Sequence, residues 1–171
     1  MSSTLPLALA DGRVVDVRPI TPADIEAERA FITGLSQATR RRRFLEAINE
    51  PSEALLESLT DVDHVNDEAL VAIAREGEDA GKFVGVARYA VGADPLAGEI
   101  ALTVADAWQA SDLQRALLDQ LADRARSRGL QRFVSVNNAD DRDMRVFARA
   151  AGFHAEVDPQ DHTQMLYTLT L

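Results

Sequence analysis

Apolar and polar positions alternate over residues 14–20, Val-Val-Asp-Val-Arg-Pro-Ile, and predict a first strand. Thr21 then offers an N-cap, Pro22 stands at the first helical position and Asp24 follows three residues after the cap, so a helix is expected to about Gly34. Ser36 and Thr39 are candidate caps for a second short helix through Arg43, Phe44 and Leu45. Pro51, Ser52 and Glu53 open a third, with Leu55, Leu56 and Leu59 at helical spacing. Residues 61–68 read as a polar loop.

The period then changes. Residues 69–74 and 83–91 read as neighbouring strands across the turn between Gly77 and Gly81, and residues 99–104 as another strand after the turn from Asp94 to Gly98. Residues 111–128 form the most strongly periodic helix, with Leu113, Leu117, Leu118, Leu121, Ala122 and Ala125 on one face and Gly129 as the stop. A short strand over residues 133–136 leads to Asp140 or Asp141, either of which caps a helix over residues 144–151 that stops at Gly152. Residues 153–157 and 164–171 close the chain as strands. The order is strand, helices, three strands, helix, strand, helix, two strands. It predicts one mixed α/β domain over residues 1–171, with no internal repeat and no linker.

Composition narrows the partners. Net charge is −10, and a single lysine, Lys82, stands among 18 basic residues. Such acidity argues against nucleic acid, where neutralising phosphates supplies most of the affinity, and suits a cationic substrate. The chain has no cysteine, which excludes disulfides, thiolate metal sites and a cysteine nucleophile. The apolar stretch from Leu5 to Ala10 is too short for a signal segment and lacks a basic flank, and no stretch is apolar enough to span a bilayer. A cytoplasmic enzyme or binding module is expected.

Candidate chemistry gathers after residues 99–104. A strand feeds the short loop Gln109-Ala-Ser-Asp-Leu-Gln114, which opens the long helix, an arrangement that presents backbone N–H groups to a phosphate. Elsewhere, Arg40-Arg-Arg-Arg43 reads either as an anion clamp or, more simply, as a helix face paired with the chain's own carboxylates. Residues 137–143 resemble a calcium loop but lack its central glycine and closing glutamate, so helix capping is expected there. His64, His154 and His162 show no metal spacing, Asp61 and Asp63 read as turn residues, and Trp108 and Phe153 as core.

The loop and its surroundings resemble the GNAT superfamily of N-acetyltransferases. The matching pieces are Arg18-Pro19 through Asp24, Val84-Gly-Val-Ala-Arg88, Val104-Ala-Asp-Ala-Trp-Gln109, Ala116-Leu-Leu118, Ala125 to Gly129, and Met144 followed by Gly152-Phe153. Within the superfamily the chain is similar to the bacterial protein-lysine acetyltransferase (Pat-like) branch, on Ser36, Arg40, Arg43-Phe44 and Val104-Ala-Asp-Ala-Trp-Gln109. The resemblance implies the GNAT fold, a mixed central sheet flanked by helices, and transfer of an acetyl group from acetyl-CoA to a primary amine, on a protein lysine or a small compound. It assigns strand backbone at Leu102 and Val104 to the pantetheine arm. Gln109, Ala110, Ser111, Asp112, Leu113, Gln114 and Arg115 are assigned to the pyrophosphate, and Glu99 becomes the general base. A tyrosine acid that many relatives carry four residues before the Gly-Phe pair is here Ala148.

The acetyl-CoA loop departs from the family pattern. Two positions usually held by glycine are Asp112 and Gln114. Glycine there lets backbone approach a diphosphate, and a carboxylate at this point opposes one. Two readings stay open: a working transferase with Arg115 as compensating cation, or a non-catalytic binding or regulatory module that has lost normal CoA binding. The acceptor and the oligomeric state are left open.

Overall fold

The computed structural model describes residues 4–44 and 48–171. Eight strands form one sheet in the order β1-β2-β3-β4-β5-β6-β8-β7. They are β1 (Leu5–Ala8), β2 (Val14–Pro19), β3 (Glu68–Ala74), β4 (Phe83–Val91), β5 (Ala97–Val104), β6 (Arg132–Asn138), β7 (His154–Val157) and β8 (Gln164–Thr170). Five helices cover it: α1 (Ile25–Gly34), α2 (Gln37–Phe44), α3 (Glu53–Thr60), α4 (Leu113–Ser127) and α5 (Arg142–Ala151). The expected end of the second helix at Leu45 lies outside the described residues.

Both faces of the central strands are buried, which is why β3 and β4 read as nearly continuous apolar runs. Leu70, Ala72, Val84, Ala87 and Tyr89 pack with Leu113, Leu117, Leu118 and Leu121 of α4. Val71 and Val86 pack on the other face with Phe31 and Ile32 of α1 and Leu56 and Leu59 of α3. Caps set the helix starts as their sequences suggest. Asp24 accepts from Thr21 N–H at 2.8 Å, the Ser52 hydroxyl accepts from Leu55 N–H at 3.1 Å, and Asp141 accepts from Met144 N–H at 3.0 Å. Gly152 ends α5 at φ 88°, a left-handed conformation that glycine reaches without cost.

Three elements differ from expectation. β1 was not foreseen: it is four residues long, contains Pro6 and pairs only with β2, an edge position where a missing N–H is tolerated. Glu68 belongs to β3 rather than to the polar loop, and it is buried because His64, Arg124 and Arg128 satisfy its carboxylate. The long helix starts at Leu113, since residues 106–108 take a 3-10 turn and Ser111 and Asp112 complete a loop.

Every neighbouring strand pair is antiparallel except β5 and β6. That parallel pair runs only through Ala97–Arg132, Gly98–Phe133 and Glu99–Val134. Beyond Glu99 the strands part, and the sheet opens beside the start of α4.

Candidate functional site

The parting of β5 from β6 makes a cleft of about 650 Å³. Its walls come from β5 on one side, from Ser135 to Asn137 of β6 on the other, and from α2, the 109–115 segment and α5. Of the residues expected at the site, Glu99, Leu102, Val104, Gln109, Ala110, Ser111, Asp112, Gln114 and Arg115 all line it. Leu113 is the exception. Its side chain is fully buried in the α4 core, so only its backbone belongs to the loop.

The loop is tied down at several points. Asp106 accepts from Ser36 N–H at 2.9 Å, from the Ser36 hydroxyl at 2.7 Å and from the Thr39 hydroxyl at 2.9 Å. Burial raises the Asp106 carboxyl but these donors together outweigh it, so its pKa lies below the usual value. Gln109 spends its side-chain amide on Thr39 Oγ1 at 3.1 Å and Val104 O at 3.2 Å. It therefore fastens the loop to α2 and to the end of β5 at the wall of the cleft. Trp108 is buried, donates its indole N–H to Asp79 at 3.0 Å and carries the Arg13 guanidinium 3.9 Å from its ring centroid.

At the two glycine positions of the family pattern, the backbone makes no demand for glycine. Asp112 has φ −83° and ψ 11°, and the only positive φ among the described non-glycine residues is at His64. The Asp112 carboxylate does not cap α4. It accepts from Ala10 N–H in the β1–β2 turn, at 3.1 and 3.3 Å. Ser111 N–H is used by Trp108 O at 3.1 Å, and Leu113 N–H points to Ser111 Oγ at 3.3 Å. No acceptor among the described residues takes the N–H groups of Ala110, Asp112, Gln114 or Arg115. Arg115 pairs along its helix with Asp119 at 2.9 Å and remains half exposed at the cleft edge.

Glu99 is exposed at the point where the strands part, paired through its backbone with Ala90 and Val134. Several wall residues were not anticipated as site residues: Thr39 and Arg42 from α2, Thr103 from β5, Ser135 and Asn137 from β6, Asp143, Met144 and Phe147 from α5. Their sequence signs were the Ser36-to-Phe44 motif, the Arg40-to-Arg43 run and Met144 of the family pattern. Arg42 spans the cleft to Asp143 at 2.5 Å, joining α2 to α5.

The arginine run acts as separate parts. Arg40 donates to Thr33 O and Leu35 O, Arg42 pairs with Asp143, and Arg43 turns inward beside Glu28 and Arg88. Arg42 and Arg43 both line the cleft, whereas Arg40 turns to the end of α1, since successive residues of a helix point about 100° apart. Asp63 accepts from the N–H groups of Val65, Asn66 and Asp67, which pull its carboxyl down to about 2 and confirm it as a turn residue. No helix among the described residues is long and apolar enough to cross a membrane.

Comparison with known proteins gives consistent matches. Residues 34–153 match the family described as "Acetyltransferase (GNAT) family". An acetyltransferase of Pseudomonas aeruginosa is 42% identical over 164 residues, covering 96% of this chain and 88% of that protein. The acetyltransferase Pat of Mycolicibacterium smegmatis is 30% identical over 142 residues, which cover 82% of this chain and 41% of the longer relative. Among solved structures, the GNAT domain of S. lividans PAT superposes with a TM-score of 0.88 at 26% identity, covering 98% of this chain and 97% of that one.

Proposed function

This chain belongs to the acetyltransferase (GNAT) family, and we propose that it moves an acetyl group from acetyl-CoA directly to a primary amine, on a protein lysine or a small compound. One observation carries the reading: the opening between β5 and β6 adjoins a loop whose N–H groups at Ala110, Asp112, Gln114 and Arg115 have no acceptor among the described residues. Unpaired donors at a helix start, with the helix dipole behind them, suit a diphosphate. At Asp112 the departure from glycine is compatible with this reading, because the residue keeps an ordinary backbone conformation and turns its carboxylate to Ala10.

Acetyl-CoA supplies an activated thioester carbonyl. In this reading the β5 backbone at Leu102 and Val104, free of β6, holds the pantetheine arm, and the loop from Gln109 to Arg115 holds the diphosphate. Glu99 takes a proton from the incoming ammonium, directly or through a water, which frees the nitrogen lone pair for attack on the carbonyl. Ala148 is buried in the core and supplies no acid from α5. The net charge of −10 favours approach of a cationic acceptor.

The test is Glu99→Gln, assayed for transfer with polylysine and with small amines at several pH values. Loss of a general base lowers turnover about 100-fold or more while acetyl-CoA binding is kept. Turnover equal to that of the unaltered chain at every pH removes Glu99 from the mechanism.

A further inference from the structure

Three charged side chains from different elements converge behind the cleft wall. Glu28 of α1 is buried, and Arg88 of β4 approaches its carboxylate to 3.7 Å while donating to Leu59 O at 3.2 Å. Arg43 of α2 interacts electrostatically with both. Asp67 adds a second negative charge near Arg88, whereas Arg43 makes no hydrogen bond or ion pair among the described residues and lies 4.9 Å over the Phe44 ring. Glu28 Oε2 and Arg88 Nε are buried with no hydrogen-bond partner among the described residues. Burial, reinforced by the charge of Arg88 and opposed by Glu28, pulls Arg43 down to about 10. Burial also pushes the Glu28 carboxyl up, against Arg88 and Arg43. A half-buried guanidinium without a hydrogen-bonded counter-charge is costly, and an anion relieves that cost. Such an anion has a route in, because Arg43 also lines the cleft.

The sheet register fixes where it would sit. Arg88 lies opposite Ala101 of β5, with Glu99 and Thr103 two residues to either side on the same face, each roughly 7 Å away along the strand. Thr103 lines the cleft and is buried, and its hydroxyl has no partner among the described residues. The Thr103 hydroxyl thus stands as a donor without an acceptor on the same face as Arg88, four residues or roughly 13 Å along β5 from Glu99.

We infer that Arg43 and Thr103 form a carboxylate-binding subsite on this face of the cleft, filled by a carboxylate that a substrate carries in. The inference rests on the acyl-transfer reading above and narrows its substrate class. The carboxylate belongs either to the acceptor, whose amine then lies at Glu99, or to the far end of a dicarboxylic acyl chain. A guanidinium with a neighbouring hydroxyl matches the acceptor atoms of a carboxylate.

Two pairs of probes of matched length separate these sources. Calorimetric titration compares 6-aminohexanoate with hexylamine, each with and without acetyl-CoA, and adipyl-CoA with hexanoyl-CoA, chains long enough to bridge Glu99 and the proposed subsite. The unaltered chain is expected to bind the charged member of one pair at least about tenfold more tightly, the size of a charge-assisted hydrogen bond. Preference in the amine pair assigns the carboxylate to the acceptor, and preference in the thioester pair assigns it to the acyl chain. Arg43→Met is expected to bind the two members of that pair alike. Thr103→Val is expected to reduce the preference while raising the melting temperature, because it removes a buried hydroxyl without a partner; a purely structural threonine leaves the preference intact. Equal binding within both pairs by the unaltered chain overturns the subsite, as does a preference that survives Arg43→Met. If no CoA thioester binds at all, the acyl-transfer reading fails. The amine pair titrated without acetyl-CoA then decides the subsite on its own, by preference for 6-aminohexanoate or the lack of it.

Discussion

Asp112, which stands where the family pattern has glycine, accepts a hydrogen bond from Ala10 N–H at 3.1 Å across the β1–β2 turn. The carboxylate that reads as an obstacle to a diphosphate is a tether that holds the loop to the edge of the sheet. Asp112→Gly therefore has two effects of opposite sign. Folding stability falls by about 1–2 kcal/mol, from the lost bond and the added chain freedom. Affinity for acetyl-CoA rises by about 1 kcal/mol, roughly fivefold, because a negative charge leaves the diphosphate's neighbourhood. Thermal unfolding and calorimetry on the same variant check both signs.

Gly85 of β4 sets how closely α4 approaches the sheet. A Cβ there falls 2.8 Å from Leu117 Cδ1 and 3.3 Å from Leu113 Cδ2. Gly85→Ala is expected to cost about 1–3 kcal/mol in urea unfolding through overpacking. Because Leu113 begins the helix that carries the loop, acetyl-CoA affinity falls as well. Unchanged affinity would separate loop position from helix packing.

Glu68 gathers two arginines and a histidine. Its carboxylate meets His64 Nδ1 at 2.6 Å, Arg128 at 2.7 Å and Arg124 at 3.2 Å, and Arg128 reaches on to the Tyr89 hydroxyl at 2.8 Å. Burial raises the Glu68 carboxyl, but the hydrogen bonds from His64 and Arg128 outweigh it and leave the pKa below the ordinary 4.5. A carboxyl lowered by folding contributes stability that is complete above its unfolded pKa and is lost as pH falls through the folded one. Glu68→Ala is expected to cost about 3–5 kcal/mol at pH 7, as for a broken buried pair. Urea midpoints compared at pH 7 and below 4.5 should show the gap between variant and parent narrowing in acid.

Arg42 and Asp143 bridge the cleft through an ion pair whose acid is exposed. Exposed pairs contribute about 0–1 kcal/mol, so Asp143→Asn should scarcely change the melting temperature. Its expected effect is kinetic: freed from the link between α2 and α5, the cleft admits acetyl-CoA faster in stopped-flow mixing. An unaltered association rate would mean the pair does not obstruct the path.

The parts of this fold that show in the sequence are those set by near neighbours. Ser52 caps α3 and Asp141 caps α5 as their spacing implies, and the α4 stripe from Leu113 to Ala125 packs as its period requires. What stayed hidden depends on distant partners. Glu68 looks like a loop residue until Arg124 and Arg128, about 60 positions away, surround it. β1 is short and contains Pro6, and it becomes a strand only because β2 offers an edge. The family pattern pointed to Glu99 and to loop residues that line the cleft, whereas the cluster of Glu28, Arg43 and Arg88 joins α1, α2 and β4 and leaves no local trace. The meaning of Asp112 lay in the same class, since Ala10 is its partner.

The central claim is that the cleft between β5 and β6 takes acetyl-CoA, and calorimetric titration of the unaltered chain with acetyl-CoA tests it most directly. The account predicts saturable binding to one site with a dissociation constant between about 1 μM and 1 mM, the usual range for an enzyme's substrate, accompanied by a rise in melting temperature. No heat and no thermal shift at millimolar acetyl-CoA would contradict it.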